Sequence, residues 1–367
     1  MKMSDSLPIG SRSNRLTCAG TGLIALDVII DKLSSTCPIF KAGGSCTNVL
    51  TILSFLGWNS ILIGRTGDDQ FSKILFDDLH RWGVDTRLIN VDSGRNTPII
   101  VEKIDKNRKG EYRHSFSMTC PICGSYLPKY RPLTMKQTSD ILNKDLTPCV
   151  FYVDRVSNSS VKIAKELKKR KSLIFFEPTK LKKTNLFYEC SQLADIIKLS
   201  HDKLDKKSSN IFEELNNQLI IETLGVKGLN FRLKSEPWEH LDAFRVQNFR
   251  DAAGAGDWCS AGLIHYILKN RTCEGSILGE NLVREALMFG QSLSAVNCNF
   301  PGARGSMYKL SNNQIMSIAL SIMNKRPESF ELDLDPKTED KFTDSMNICP
   351  RCSLKCHSYN SKVGLEK

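Results

Sequence analysis

The sequence predicts an α/β fold with a mostly parallel central sheet flanked by helices. Short, continuous apolar runs are typical of strands buried on both faces, and here they alternate with stretches of helical periodicity. The chain has 367 residues, of which 41% are apolar and 25% charged, an ordinary balance for a chain that buries a large core. Length, composition and pattern therefore agree on one α/β domain with an added piece.

The predicted elements follow one another from residue 16 onwards. Residues 16–30 predict an apolar strand that glycines interrupt, and residues 45–57 predict a helix packed under a strand at 60–64. Similar apolar runs predict further strands at 98–104, 149–153, 172–176, 196–199, 218–223 and 229–232. Apolar residues recur with helical spacing at 159–171, 261–268, 282–296 and 315–323.

Two stretches carry neither pattern. Residues 106–136 are rich in Gly, Pro, Lys and Tyr, and residues 325–367 are polar and charged, so both are predicted to be irregular. An irregular insertion of this length is usually functional or anchored by another part of the chain.

The net charge and the lack of long apolar segments indicate which partners and which location to expect. The 51 basic and 40 acidic residues give +11, which suits a solvated surface or the steering of an anionic substrate such as ATP, and favours a nucleic-acid partner least. No apolar run approaches the ~18 residues that cross a bilayer, and residues 1–15 lack the apolar stretch of a signal peptide. We therefore expect a cytoplasmic protein with no membrane or nucleic-acid partner, whose thirteen cysteines are not disulfide-bonded.

The most informative motif is Asp251-Ala-Ala-Gly-Ala-Gly-Asp257, which precedes an apolar helix. Small residues let a backbone approach a ligand, and amides at a helix start favour an anion. Asp257 would then stand beside a bound anion, where it can accept a proton from an attacking hydroxyl. The alternative is a glycine-rich helix cap with Asp257 as its N-cap, and this motif alone leaves the two interpretations even.

A second motif lies earlier in the chain. Gly43 and Gly44 are followed by Asn48, by Leu56-Gly57, and by the spacing Gly-x-x-Gly-x-Asp at 64–69. In this order, the two motifs resemble the signature motifs of the ribokinase-like family, the PfkB carbohydrate kinases. The resemblance spans roughly residues 16–324, and two separated motifs with the correct elements between them are far more specific than either glycine run.

The resemblance implies a ribokinase-like three-layer sandwich and an ATP-dependent kinase that phosphorylates a hydroxyl of a small sugar. It implies that Asp257 is the base, and that the amides of Gly254, Ala255 and Gly256 stabilise charge on the transferring phosphoryl group. The residues implied in sugar binding are Asp27, Gly43, Gly44 and Asn48.

The resemblance also implies binding of ATP and Mg²⁺. The residues implied in nucleotide binding are Ser200, Thr223, Gly225, Gly228, Asn297 and Gly302. Asp251 matches a residue that helps to hold a monovalent cation such as K⁺ in some members.

Three departures from the family pattern place the protein on an unusual branch. Alanines occupy 252 and 253 where most members carry a threonine, and 176–179 replaces an Asp-x-Asn-x-Arg stretch. Lys203 stands where most members carry the glutamate that organises the water shell of Mg²⁺. Two alternatives therefore stay open: a nucleoside kinase of the same fold, and a catalytically degenerate member with a regulatory or binding role.

The resemblance further implies a division of the chain. The kinase domain would comprise 16–330, with a small β lid built from about 28–41 and 94–125, and a homodimer formed through the lid stays open. Residues 331–367 would form a C-terminal tail.

Two Cys-Pro-x-Cys motifs, distant in sequence, match the ligand spacing of a four-cysteine zinc site. They are Cys120 with Cys123, and Cys349 with Cys352. A shared zinc ion would fold the tail back onto the 106–136 insertion and anchor both. Three alternatives stay open: Cys356 or His357 as a replacement ligand, two unrelated redox pairs, and separate zinc sites in an oligomer.

Overall fold

The computed structural model describes residues 15–33, 38–179, 183–204, 210–234, 236–270, 278–332 and 349. In these ranges the strands are β1 (Thr17–Thr21), β2 (Ala25–Asp31), β3 (Ile39–Gly43), β4 (Asn59–Gly67), β5 (Asp85–Asp92), β6 (Ile99–Lys106), β7 (Tyr112–Ser117), β8 (Val150–Val153), β9 (Leu173–Phe176), β10 (Ile196–Ser200), β11 (Leu219–Thr223), β12 (Leu229–Leu233) and β13 (Glu239–Leu241). The α-helices of the same ranges are α1 (Ser45–Phe55), α2 (Gln70–Arg81), α3 (Met135–Leu142), α4 (Asn158–Lys169), α5 (Asn185–Leu193), α6 (Ile211–Glu214), α7 (Ala255–Asn270), α8 (Glu280–Asn297) and α9 (Asn312–Lys325).

Nine strands form a large sheet in the order β13-β12-β11-β10-β9-β8-β1-β4-β5. The seven strands from β11 to β5 are parallel to their neighbours, and β12 and β13 add an antiparallel edge. The predicted fold class, a mostly parallel sheet between helices, is therefore confirmed.

The continuous apolar runs arise because the sheet is buried on both faces. Side chains of a strand alternate between the two faces, so Tyr152 packs on one face while its neighbours Phe151 and Val153 pack on the other. Helices α1, α2, α7, α8 and α9 cover the Tyr152 face, and α3, α4, α5 and α6 cover the opposite face. Each face thus has its own apolar core.

A second sheet has four strands in the order β3-β2-β6-β7. Strands β2 and β6 are parallel, whereas β3 and β7 pair antiparallel at the two edges. The segments predicted to form a lid, 28–41 and 94–125, both contribute strands to this sheet. Residues 22–24 connect β1 in the large sheet directly to β2 in the small one.

The structure corrects the prediction at two places. The single strand predicted at 16–30 is two strands, β1 and β2, in different sheets. The insertion at 106–136 is not irregular throughout, because it contains β7. This strand carries polar residues and has no fully buried side chain, so its stability comes from pairing with β6 and leaves no apolar signal in the sequence.

Among the helices of the described ranges, none combines the length and the apolar character needed to span a bilayer.

Candidate active site

The glycine-rich turn predicted to cradle an anion leads directly into α7. Gly254 has a φ of +71°, and a Cβ at this position would lie 2.2 Å from the carbonyl oxygen of Ala303, so only glycine fits. The Ala255 amide donates to the Ala252 carbonyl at 3.1 Å. Gly256 and Asp257 follow in the first helical turn. The three predicted amides therefore lie at the N-terminus of a 16-residue helix, where the dipole favours an anion.

Asp257 faces a side chain from α1. Its Oδ2 accepts a hydrogen bond of 2.8 Å from Nδ2 of Asn48, so the structure brings the two sequence motifs together. Helix α7 begins at Ala255, which places Asp257 inside the first turn and not at the N-cap position. The helix-cap alternative for Asp257 is therefore wrong.

The environment of Asp257 suits a base that works near neutral pH. Burial, followed by the neighbouring charge of Glu177, raises the pKa of Asp257 to about 7. The Asn48 hydrogen bond and the charges of Lys198 and Lys203 oppose this rise in pKa. A base whose pKa lies near the working pH combines a useful ionised fraction with driving force for proton transfer.

Asp27 is a second buried carboxylate, on β2. A Cβ on Gly43 would lie 1.9 Å from its Oδ2, so the glycine is required for this approach. Burial raises the pKa of Asp27 to about 7, against the opposing charge of Arg304 and a hydrogen bond from the Gly44 amide. Among the described residues, no donor reaches Oδ1 of Asp27.

Arg304 was not predicted and is central to this region. Its Nε donates to Oδ1 of Asn48 at 3.1 Å, and its guanidinium pairs with Asp78 at 2.8 Å and donates to the Ala42 carbonyl. Its Nη1 is buried, and within the described ranges it has no acceptor. Asp27, Asn48 and Arg304 border one cavity of about 90 Å³. Oδ1 of Asp27 and Nη1 of Arg304, which have no partner among the described residues, are buried atoms of these lining residues.

A buried lysine lies beneath the turn at 254–256 and was also not predicted. Lys198 on β10 is 1% exposed, and its Nζ donates to the Gly256 carbonyl at 2.9 Å and to Oγ of Ser260 at 2.8 Å. It forms an ion pair with Glu177, which also accepts from the Tyr152 hydroxyl at 3.0 Å. The pair holds the pKa of Lys198 above its usual range despite burial, because Glu177 favours the charged form.

Four of the six predicted nucleotide residues lie at one edge of the large sheet, where β10 and β11 end. Ser200 ends β10 and Thr223 ends β11, and the two are partners in the parallel ladder. Gly225 and Gly228 follow with φ of +61° and +91°, and Gly228 is in close contact with the Leu241 carbonyl. Such backbone conformations favour glycine.

Lys203 lies near this edge, in a short 3-10 helix at His201–Lys203. The side chain of Lys203 is exposed, and its charge lowers the pKa of Asp257. Glu222, on β11, is held by His201 at 2.7 Å and by Asn230 at 3.0 Å.

Asn297 and Gly302 lie in a different place from Ser200 and Thr223. Asn297 is fully buried, and its Nδ2 lies 3.2–3.3 Å from the carbonyl oxygens of Ala253, Gly302 and Ala303. Its side chain therefore ties the glycine-rich turn to the loop at 302–306. Gly302 borders the same cavity as Asp27.

Asp251, the residue matched to a cation site, is 1% exposed. Its carboxylate accepts from the amides of Ala253 at 2.9 Å and Gly302 at 2.7 Å, and His114 lies 3.2 Å away. Beside it, Glu102 is fully buried, and in the part of the chain that the structure describes no donor reaches its carboxyl oxygens. Burial and the Asp251 charge raise the pKa of Glu102 well above its usual range, so it can donate its proton to Asp251.

Three of the predicted zinc ligands meet in space. The Sγ atoms of Cys120, Cys123 and Cys349 all lie within 4.8 Å of one another. The predicted ligand Cys352, with Cys356 and His357, lies outside the described residues.

Comparison with known sequences points to sugar kinases. A family model described as pfkB family carbohydrate kinase matches residues 21–115. A fructokinase of Solanum tuberosum is 25% identical over 279 residues, which cover 71% of this chain and 81% of that protein. An uncharacterized sugar kinase of Pyrococcus horikoshii is 27% identical over 248 residues, which cover 66% of this chain and 78% of that protein.

Comparison with solved structures points to one fold. The Pyrococcus horikoshii sugar kinase has a TM-score of 0.60 and 22% identity, covering 84% of this chain and 99% of its own. A fructokinase with bound ATP from Xylella fastidiosa has a TM-score of 0.63 and 17% identity, and the match covers 84% of this chain and 98% of the fructokinase. An Arabidopsis thaliana ribokinase complexed with ribose and ATP has a TM-score of 0.62 and 15% identity, covering 83% and 99%. The predicted three-layer sandwich is thereby confirmed.

Proposed function

We propose that this chain is a ribokinase-like PfkB carbohydrate kinase that transfers the γ-phosphoryl group of ATP to a hydroxyl of a small sugar, with Asp257 as the base. The observation that carries the proposal is the hydrogen bond between Asn48 and Asp257. It joins the two motifs at the N-terminus of α7, where an anion is favoured, and it orients a carboxylate whose pKa is about 7.

The sugar is proposed to bind against the cavity bordered by Asp27, Asn48 and Arg304. A buried carboxylate oxygen and a buried guanidinium nitrogen without partners each carry a desolvation cost, which sugar hydroxyls bound there would remove. Gly43 and Gly44 keep this side of the site free of side chains and let Asp27 approach the start of α1.

In the reaction, Asp257 takes the proton of the attacking hydroxyl. The oxygen forms a bond to the γ-phosphorus, the bond from that phosphorus to the β-phosphate bridging oxygen breaks, and ADP leaves with the electron pair. The amides at Gly254, Ala255 and Gly256 stabilise the charge on the transferring group. Lys198 supports them from below, because it fixes the Gly256 carbonyl.

Mg²⁺ bound to ATP would neutralise phosphate charge. At the sheet edge formed by Ser200 and Thr223, this chain carries Lys203 in place of a glutamate, and Glu222 is held by His201 and Asn230. We therefore assign no carboxylate of this edge to the ion. The edge residues, with Gly225 and Gly228, are proposed to bind the nucleotide through its phosphates and ribose.

A monovalent cation, if bound, would lie nearest Asp251, and no step of the reaction depends on it. Both oxygens of Asp251 already accept backbone amides, and the nearby carbonyl oxygens of Ala253 and Gly302 already receive the amide of Asn297. Zinc has no part in the reaction, because a site of four thiolates leaves no open position.

A small sugar is preferred over a nucleoside as substrate. The curated relatives that we compared are a fructokinase and a sugar kinase, while a structural neighbour from Salmonella enterica is an aminoimidazole riboside kinase. Fructose and ribose are therefore the first compounds to assay, followed by nucleosides. A degenerate, non-catalytic role is disfavoured because Asp257, Asn48 and the glycine-rich turn retain a connected geometry.

We also propose that the protein forms a homodimer through the lid. Phe116 on β7 is 55% exposed, and Met118 and Tyr126 beside it are 43% and 73% exposed, which gives the small sheet an apolar outer margin.

The experiment compares Asp257→Asn with the matched control Asp242→Asn, whose side chain is 97% exposed. ADP release is measured with ATP, Mg²⁺ and each candidate sugar or nucleoside. We expect Asp257→Asn to lower kcat by about 10²–10⁴-fold without changing ATP binding or the melting temperature. Asp242→Asn should leave kcat, ATP binding and the melting temperature unchanged. Near-normal turnover of Asp257→Asn would remove this residue from the role of base.

A further inference from the structure

We propose that Cys120, Cys123 and Cys349 hold a structural Zn²⁺ ion that fastens the C-terminal segment of the chain to the hairpin following β7. This site is separate from the phosphoryl-transfer site. Its role would be to hold Cys349 against the hairpin, not to take part in chemistry.

The first two ligands are presented by a tight turn. The Gly124 amide donates to the Cys120 carbonyl at 2.9 Å, and the Cys120 amide donates to the Ser125 carbonyl at 2.8 Å. Gly124 has a φ of +71°, a conformation that glycine adopts at little cost. Thr119 and Tyr126 close the hairpin with a β-bridge. The sequence Cys-Pro-x-Cys-Gly is thus folded so that both thiols can reach one ion.

The third ligand arrives from the far end of the chain. Sγ of Cys349 lies 3.7 Å from Sγ of Cys123. Tetrahedral zinc with Zn–S bonds of about 2.3 Å separates its sulfur ligands by about 3.8 Å. A disulfide needs sulfurs about 2.05 Å apart. The observed separation therefore matches ligands that share a metal and does not match a covalent pair.

Ordinary packing explains this cluster less well. Cys120 and Cys349 are 3% and 2% exposed and border the apolar core, whereas Cys123 is exposed. Burial of a small hydrophobic side chain therefore accounts for two of the thiols but not for the third. A thioredoxin-like redox pair should lie at a helix start, and Cys120 and Cys123 instead occupy the hairpin turn.

The fourth coordination position is a prediction from sequence. Cys349 begins a second Cys-Pro-x-Cys motif with the same spacing as the first, so Cys352 is the expected fourth ligand. A zinc ion with four thiolate ligands has no open coordination position, so it can stabilise structure but cannot bind a substrate.

The position of the site indicates what the ion stabilises. The hairpin continues β7, and from β7 the Tyr112 hydroxyl contacts Arg250 at 2.8 Å while His114 lies 3.2 Å from Asp251. After the hairpin, the carbonyl of Pro128 accepts from the first amide of β6 at Ile99, at 3.1 Å. The ion would therefore hold the edge of the small sheet in place beside the residues that precede the glycine-rich turn.

The test is metal analysis of the purified full-length protein by inductively coupled plasma mass spectrometry. The variants are Cys349→Ser and Cys123→Ser, and the matched control is Cys149→Ser, a half-buried free cysteine outside the cluster. We expect about one zinc per chain in the wild type and in Cys149→Ser, and a loss of most of it in the two cluster variants. Since Cys123 is exposed, Cys123→Ser remains informative if Cys349→Ser does not fold.

Cobalt substitution supplies a second readout. Co²⁺ bound to the wild type should give thiolate-to-metal charge-transfer absorption and the intense visible bands of a tetrahedral site, both weakened in Cys123→Ser. Zinc-free wild-type protein from zinc-supplemented cells would overturn the proposal. So would zinc retained in full by both cluster variants, or a Cys123–Cys349 disulfide found by mass spectrometry of protein kept under reductant.

The metal content does not depend on kinase activity. Asp257→Asn should therefore keep its zinc, and an inactive wild type that binds zinc would contradict the proposed function alone.

Discussion

Asp251 and Asp257 stand at the two ends of one motif, and the structure gives them opposite properties. Both are nearly excluded from solvent, at 1% and 8% exposure. Asp251 accepts two backbone amides and faces His114, and these partners hold its pKa below the usual range despite burial. Asp257 has Asn48 as its donor and Glu177 as a neighbouring charge, and its pKa rises to about 7. Burial raises the pKa of both carboxyls, so the difference arises from the donors around Asp251 and from the Glu177 charge beside Asp257.

The largest expected effect that separates the two residues is on stability. Asp251→Ala leaves the buried amides of Ala253 and Gly302 without an acceptor, so we expect the free energy of unfolding to fall by roughly 3 kcal/mol. Asp257→Asn removes a buried charge that has only one donor, and it should leave that free energy unchanged or slightly higher. Urea denaturation at pH 8 measures both. Equal losses in the two variants would show that the acceptor role of Asp251 is not what distinguishes it.

The second prediction concerns Glu102, the neighbour of Asp251, and the pH dependence of the free energy of unfolding. The unfolded chain ionises this carboxyl near its ordinary pKa, whereas the folded protein keeps it protonated to a much higher pH because burial and Asp251 raise its pKa. The wild type therefore loses stability as pH rises above the unfolded pKa, by about 1.4 kcal/mol per unit, until the folded pKa is reached. The glutamine in Glu102→Gln does not ionise, so the variant lacks this pH-dependent loss of stability.

The measurement is the difference in free energy of unfolding between Glu102→Gln and wild type at pH 5, 6 and 7. We expect the variant to become increasingly more stable than the wild type as pH rises. A constant difference would mean that the Glu102 carboxyl is ionised in the folded protein and has a donor there.

The smallest expected effect concerns the activity profile. Glu177 raises the pKa of Asp257 through its charge, so Glu177→Gln should lower that pKa and move the acid limb of kcat/KM to lower pH, by about one unit or less. Glu280→Gln, at the exposed start of α8, is the matched control and should leave the limb near pH 7. A limb that moves to higher pH, or not at all, would show that Glu177 does not set the pKa of the base.

The sequence predicts much of this geometry where the signal is local. Buried parallel strands are continuously apolar, and the turn before α7 is marked by glycines that the backbone requires, so both could be located in advance. Strand β7 could not, because its pairing with β6 needs no apolar alternation.

The site residues that escaped prediction are those defined by distant partners. Lys198 lies within an apolar strand, and only the fold reveals that Glu177 and the Gly256 carbonyl surround it. Arg304 depends on Asn48 and Asp78, which are far from it in the sequence. The sequence shows only that a charged residue lies inside an apolar or glycine-rich run. This pattern indicates a special position but identifies neither the residue's partner nor its role.

The short connection between the two sheets limits how the small sheet can move. Residues 22–24 are buried, a Cβ on Gly22 would lie 1.5 Å from Oδ1 of Asp154, and the Leu23 amide donates to that same carboxylate at 2.9 Å. A connection this short and this firmly held fixes the start of β2 against the large sheet. Any displacement of the small sheet would therefore be smallest at the start of β2, next to the large sheet.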